Sequence, residues 1–317
     1  MTPPLRIDVH QHLWPEQLLM ALTRRDRSPS LRYGHDGWWL SCPGEPETRF
    51  EPRDHDLARR AGEAQAERLE LALITPSLPL GAELLPAGEA EELAAIHNEA
   101  AASLPYPFGA WATVALQTAD ARSVDALLER GHFAGLALPA AALGSREGLN
   151  QVGPLLEVLE RRSLPLFVHP GAVSPKAAGR GRPSWWNAMN AYLSDLSAAW
   201  YAFVAFGRFA HPRLRVLFAA MAGGAPLHLE RMVARGGPAC AALDHGIYYE
   251  TSSYGERAVD ALVRTVGVDQ IVYGSDRPVV DASPWGLGDS AERLVTVDNP
   301  ARLLGLPVTP SVRAVAA

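Results

Sequence analysis

Two histidines one residue apart, His10 and His12, end the short apolar run Ile7-Asp8-Val9-His10-Gln11-His12. Side chains alternate faces along a strand, so both imidazoles point the same way. Such a pair is either half of a metal site or two unrelated polar residues at a strand end, and its context decides. Two other apolar runs end in comparable chemistry, Val168-His169-Pro170-Gly171 and Tyr273-Gly274-Ser275-Asp276-Arg277-Pro278. Three imidazoles and a carboxylate suit a zinc-like divalent ion with one position left open for water.

These residues need elements that bring distant segments to one rim. After the first strand come a helical start at 16–22, a polar stretch at 27–52 and an alanine-rich helix at 54–69. Asp36-Gly37 between short apolar runs is a hairpin signal, so 27–52 reads as a flap inserted over the end of the first strand. From there strand and helix periods alternate, with strands expected at 71–74, 108–114, 135–138, 166–169, 215–219, 247–251 and 270–273. Helices are expected at 88–103, 120–130, 149–162, 185–209, 226–234 and 256–266, with terminal helices through Gly305. Eight strand–helix units argue for an α/β chain folded as a (β/α)8 TIM-type barrel in one domain, 1–317, with the active site at the C-terminal strand ends. His10, His12, His169 and Asp276 all fall at that rim.

Composition narrows the function classes. The chain has 317 residues, 48% of them hydrophobic and 20% charged, the makeup of a globular protein with a sizeable core. A formal net charge of −6 argues against a nucleic-acid or anionic-membrane partner. The two cysteines, Cys42 and Cys240, are too few for a disulfide framework, and neither a signal-peptide core nor a membrane-length apolar run is apparent. A cytoplasmic protein acting on a small molecule is expected. The aromatic helix at 185–209 offers a possible homodimer surface.

The motifs also resemble a known family. Ile7-Asp8-Val9-His10-Gln11-His12, Asn98-Glu99, Phe133-Ala134-Gly135-Leu136, Pro165 to Gly171, Trp185-Trp186, Gly223-Gly224-Ala225-Pro226, Tyr273 to Asp276 and Asn299 to Gly305 look like the amidohydrolase-related group of the amidohydrolase superfamily. The nearest likeness is to its aminocarboxymuconate-semialdehyde decarboxylase-like branch, and it runs from Ile7 to about Leu306. The resemblance implies a barrel holding one divalent metal ion, Zn2+ first with Mn2+, Fe2+ or Co2+ as alternatives, on His10, His12, His169 and Asp276. The fourth strand carries no lysine, so a carbamylated-lysine, two-metal arrangement is not expected.

One segment departs from the family pattern. Its sixth strand usually ends in Ala-His-Gly-Gly-Gly, whose histidine helps to activate water; here Phe218-Ala219-Ala220-Met221-Ala222-Gly223-Gly224 places Met221 at that position. Methionine exchanges no proton at neutral pH. Asp276 could take the proton, His228 on the following helix could substitute, or hydrolysis could have been lost. Candidate substrate contacts are Met221 itself, Arg32, Tyr33, Trp38 and Trp39 on the flap, and Arg180, Arg182, Trp185 and Trp186 after the fifth strand, because guanidinium clamps carboxylates and indole stacks on rings. The resemblance favours Trp185 over Trp186. His55, His97, His132, His211 and His245 read as structural or solvated, and His35 lies on the flap.

The first expectation is a metal-dependent hydrolase in which a bound hydroxide attacks a small carbonyl or amide substrate. The alternative is non-oxidative decarboxylation of an unsaturated or aromatic acid at the same site. A third reading is a retired barrel that binds without turnover.

Overall fold

The computed structural model describes residues 6–173, 182–239, 241, 244–281 and 285–307. Among the described residues eleven strands form two sheets: β1 (Arg6–Gln11), β2 (Ser30–Gly34), β3 (Gly37–Ser41), β4 (Thr48–Phe50), β5 (Leu69–Ile74), β6 (Phe108–Ala112), β7 (Phe133–Pro139), β8 (Leu166–His169), β9 (Val216–Phe218), β10 (Ile247–Glu250) and β11 (Ile271–Val272). Eight of them run parallel in the order β1-β5-β6-β7-β8-β9-β10-β11. The sheet returns on itself: Val9 N–H donates to Tyr273 O at 3.0 Å, Asp276 N–H to His10 O at 2.8 Å and His12 N–H to Arg277 O at 2.6 Å. A (β/α)8 barrel results, as expected, and those last bonds bring the first and eighth strand ends side by side.

Strand burial explains the parallel sheet. Leu166 to His169 and Ile247 to Glu250 are buried throughout, because barrel strands are covered inside by side chains and outside by helices. The outer layer includes α1 (Glu16–Thr23), α2 (Leu57–Ala66), α3 (Ala87–Ala102), α4 (Ala121–Glu129) and α5 (Arg146–Arg162). Asp56 and Asp120 cap α2 and α4, each accepting a main-chain N–H from three residues on at 2.7 Å. No helix among the described residues is long and apolar enough to cross a membrane.

Gly135 on β7 shows how tightly the wall is built. A methyl group there would overlap the carbonyl oxygen of Pro165 and the ring of Trp111. Gly135→Ala should therefore destabilise the barrel by about 1–3 kcal/mol, the usual range for overpacking, measured by urea unfolding.

The helix α3 is fastened to the end of β6 by polar groups. His97 Nε2 donates to Trp111 O at 2.9 Å, while Asn98 Nδ2 donates to Thr113 O at 2.9 Å and its Oδ1 accepts Thr113 N–H at 3.0 Å. Burial pushes the His97 imidazole down to about 4 from 6.5. The folded protein thus keeps His97 neutral where the unfolded chain takes up a proton, so this contribution is complete above 6.5 and is lost as pH falls towards 4. Across that window wild type should lose up to about 1.4 kcal/mol more per pH unit than His97→Gln, read from urea midpoints.

The flap is a three-stranded antiparallel sheet, β2-β3-β4, one strand more than the hairpin signal implied. Beneath it a second, small core joins Trp14, Leu18, Leu22, Leu31, Phe50, Leu80 and Leu93, with Trp38, Leu40 and Cys42 at its edge. The expected helix at 185–209 is interrupted. Asn190 leaves helical geometry between α6 (Trp186–Met189) and α7 (Ala191–Ala202), and Phe203–Gly207 winds as a wider π turn. Gly207 is required there because a methyl would overlap the buried Phe203 ring. The helix expected at 226–234 becomes α-helical only at Leu229, and the residues just before it, 225–228, wind as a tighter 3-10 turn after the left-handed segment at 220–224.

Candidate metal centre and active site

Strand closure determines the site. His10 and His12 leave the end of β1 on one face, His169 ends β8, and Asp276 follows β11. His10 Nε2 lies 3.2 Å from His12 Nε2 and 3.1 Å from His169 Nε2. Asp276 Oδ1 lies 3.4 Å from His10 Nε2 and 3.1 Å from His12 Nε2. All three histidines are buried, and the Asp276 side chain retains 16% exposure, enough to face a bound molecule. Asp276 adopts φ 56°, a left-handed conformation that aspartate tolerates better than most residues.

The opposite ring nitrogens show what this cluster is built for. His12 Nδ1 faces Thr75 O at 3.1 Å and His169 Nδ1 faces Pro170 O at 2.8 Å. A carbonyl only accepts, so both rings carry their proton on Nδ1 and present an Nε2 lone pair to the cluster. A single proton on His10 Nε2 would satisfy one of the three contacts it makes; a cation would satisfy all three nitrogens and the carboxylate. Ligand bonds of about 2.0–2.1 Å place neighbouring donors roughly 3.0–3.4 Å apart, matching the observed separations. The donor set fits a divalent transition metal.

The electrostatics agree. Burial alone would lower the His10 imidazole, but the facing Asp276 and Glu250 carboxylates raise it to about 9. Burial and the neighbouring imidazoles drive His169 well below its ordinary value. Burial acts to raise Asp276, yet the surrounding imidazoles hold it below the usual carboxylate range. The floor is apolar: Phe167 lies edge-on to His10 at 5.2 Å and against Trp111 at 5.1 Å.

A second polar layer fixes the two strand ends. The Asp8 carboxylate accepts from His10 N–H at 3.0 Å, Gln11 Nε2 at 2.7 Å and Ser275 N–H at 3.1 Å, joining the His-x-His segment to the loop that carries Asp276. Gln11 Oε1 in turn accepts from Arg60 at 2.6 Å. Sequence reasoning also passed over Glu250, the fully buried last residue of β10, whose Oε2 lies 3.5 Å from His10 Nδ1. The available signal was a carboxylate at the C-terminal end of an expected barrel strand.

The other candidates are placed differently. Arg32 bonds Glu47 at 3.1 and 2.7 Å on the outer face of the flap. Trp38 is partly buried against the small core, edge-on to Tyr33 at 5.2 Å, and Trp39 donates to Asp36 at 3.0 Å. Trp185 is 58% exposed, while Arg182 lies 5.6 Å from the Trp186 ring centre; Arg180 falls outside the described residues. Met221 is buried and packs in the apolar core cluster. Ala220 to Gly224 all take positive φ, and this left-handed turn leaves Ala220 as the partly exposed residue next to Met221. His228 and His35 are exposed. His55 stacks in a three-ring cluster with Phe50 and Trp14 and accepts Trp14 N–H at 3.1 Å.

The flap is tied to the barrel at its 43–45 turn. Asn187 Nδ2 donates to Gly44 O and Glu45 Oε2, and the Tyr192 hydroxyl to Glu45 Oε1, each at 2.9 Å. A methyl at Gly44 would overlap Val173 O, so this turn closes directly onto the segment following His169.

Solved structures with this architecture are numerous. Over 96% of this chain and 98% of the other, it superposes on the apo form of IDCase from Metarhizium anisopliae with a TM-score of 0.79 at 18% identity. Over 96% and 97% of the two chains it matches 5-carboxyvanillate decarboxylase from Novosphingobium aromaticivorans, in complex with manganese and 4-hydroxy-3-methoxy-5-nitrobenzoic acid, with a TM-score of 0.72 at 18% identity. Over 95% and 99% it matches 2,6-dihydroxybenzoate decarboxylase from Rhizobium, with a TM-score of 0.70 at 17% identity. No curated protein matches the sequence. The sequence profile described as Amidohydrolase matches residues 7–306, nearly the whole chain, and the chain therefore belongs to the amidohydrolase family.

Proposed function

We propose that the protein is a metal-dependent, non-oxidative decarboxylase of a small unsaturated or aromatic carboxylic acid, built as one barrel domain with 27–52 as its flap. The observation that carries this reading is the convergence of His10, His12, His169 and the partly exposed Asp276 at the mouth of a barrel that superposes on solved decarboxylases. These four residues would hold one divalent cation, and the decarboxylase activity of the similar manganese-bound structure supports the assignment. When bound, the cation would supply positive charge to the carboxylate of the acid and an adjacent oxygen.

The residues divide the work as follows. His10, His12 and His169 would hold the cation, and the Phe167–Trp111 floor excludes water beneath them. Asp276 accepts a proton from an acidic hydroxyl of the substrate and returns it to the carbon that bears the carboxylate. The carbon–carbon bond then breaks, its electron pair stays with the protonated carbon skeleton, and CO2 leaves. His228 is exposed and Met221 carries no exchangeable proton, so Asp276 is the proton carrier in this reading.

The test uses 2,6-dihydroxybenzoate and 5-carboxyvanillate as probes, with the protein loaded separately with Mn2+ and Zn2+. Trapped CO2 should equal the decarboxylated arene formed. Hydrolysis of an ester or amide panel without CO2 release from any conjugated acid would refute the proposal.

A further inference from the structure

Of the three imidazoles, two are oriented by main-chain carbonyls. Ser77 Oγ also lies 3.4 Å from His12 Nδ1. His10 faces a carboxylate instead: its buried Nδ1 has no hydrogen-bond partner at ordinary distance, and the acceptor facing it is Glu250 Oε2 at 3.5 Å. That carboxylate is itself held on several sides. Its Oε2 accepts Ala220 N–H and the Ser252 hydroxyl, each at 2.9 Å, and its Oε1 accepts Ser252 N–H. Space for it comes from Gly274, where a methyl would overlap the Glu250 side chain.

We propose that Glu250 is a positioning residue of this site, its carboxylate facing the Nδ1–H of His10 as acceptor and so keeping the proton there, which presents the His10 Nε2 lone pair to the cation. The inference rests on the reading that His10 is a metal ligand. A fully buried carboxylate is costly unless hydrogen bonds and a nearby positive charge compensate it. The three donors supply the bonds, and a cation-bound imidazole supplies the charge. The left-handed turn after β9 acquires a purpose on this account, since Ala220, Met221 and Ala222 adopt an uncommon conformation that delivers the Ala220 N–H to Glu250. A carboxylate behind a ligating histidine fixes its tautomer and raises its donor strength.

Zinc affinity of the metal-stripped full chain, measured by competition with a chromophoric chelator, tests this. Glu250→Gln should weaken the dissociation constant by about 10–100-fold, the range for loss of an outer partner of a ligating histidine. Ser252→Ala, which removes one hydroxyl donor to the carboxylate, should weaken it in the same direction by less. Cobalt-loaded Glu250→Gln should show an altered visible spectrum, which a purely structural role would leave unchanged. If Glu250→Gln fails to fold, Ser252→Ala carries the test. Affinity within twofold of wild type in whichever of these variants folds, with an unchanged cobalt spectrum, would overturn the inference. A wild-type chain that binds no zinc would overturn the metal reading and this inference with it, a result distinct from variants that bind as wild type does.

Discussion

His169→Ala should leave a folded barrel that no longer retains its metal and turns over at background rate. His169 is the ligand contributed from across the barrel, ending β8, whereas His10, His12 and Asp276 all come from the joined ends of β1 and β11. Its removal leaves donors from one side only. Loss of an outer partner of a metal ligand typically costs about 10–100-fold in affinity, so loss of the ligand itself should exceed ~100-fold. The folded state should survive, because β8 keeps its pairing to β7 and β9 and the apolar core does not depend on this ring. Metal content after dialysis, CO2 release and circular dichroism together read the outcome. Retention of metal at the wild-type level would remove His169 from the site.

Asp276→Asn should be nearly as damaging to turnover but much less so to folding. The amide keeps the shape and the left-handed backbone that asparagine also tolerates, while losing the capacity to take up and return a proton. Positioned acid–base groups contribute about 10²–10⁴-fold in rate, so kcat at saturating metal should fall by that factor. Saturating metal separates the two roles: a variant rescued fully by added metal would show that Asp276 only holds the ion. Unchanged kcat without added metal would refute both roles.

The convergence of His10, His12, His169 and Asp276 was legible because they close apolar runs at barrel positions, and the barrel was legible because strand and helix periods alternate along the chain. Glu250 was not, since nothing in Tyr248-Tyr249-Glu250-Thr251 reveals a partner; its neighbour His10 is brought beside it only when the barrel closes. Arg32 and Trp38 have types suited to binding an aromatic acid, but register assigns one to an ion pair with Glu47 and the other to the small core under the flap. Composition does not disclose which face of a flap points inwards. The burial of Met221 has a backbone origin. Three consecutive non-glycine residues with positive φ reset the direction of every side chain in the turn, and no local propensity in Ala220-Met221-Ala222 foretells this. The break at Asn190 is similar, because α6 presents Asn187 to the flap through contacts distant in sequence.

The central claim, that the cluster at the barrel mouth is a metal site, is tested most directly by elemental analysis of tag-free protein purified without chelators. The account predicts about one equivalent of a divalent transition metal per chain, consistent with one set of three nitrogens and one carboxylate. Less than about a tenth of an equivalent, unrestored by incubation with Zn2+ or Mn2+, would contradict it.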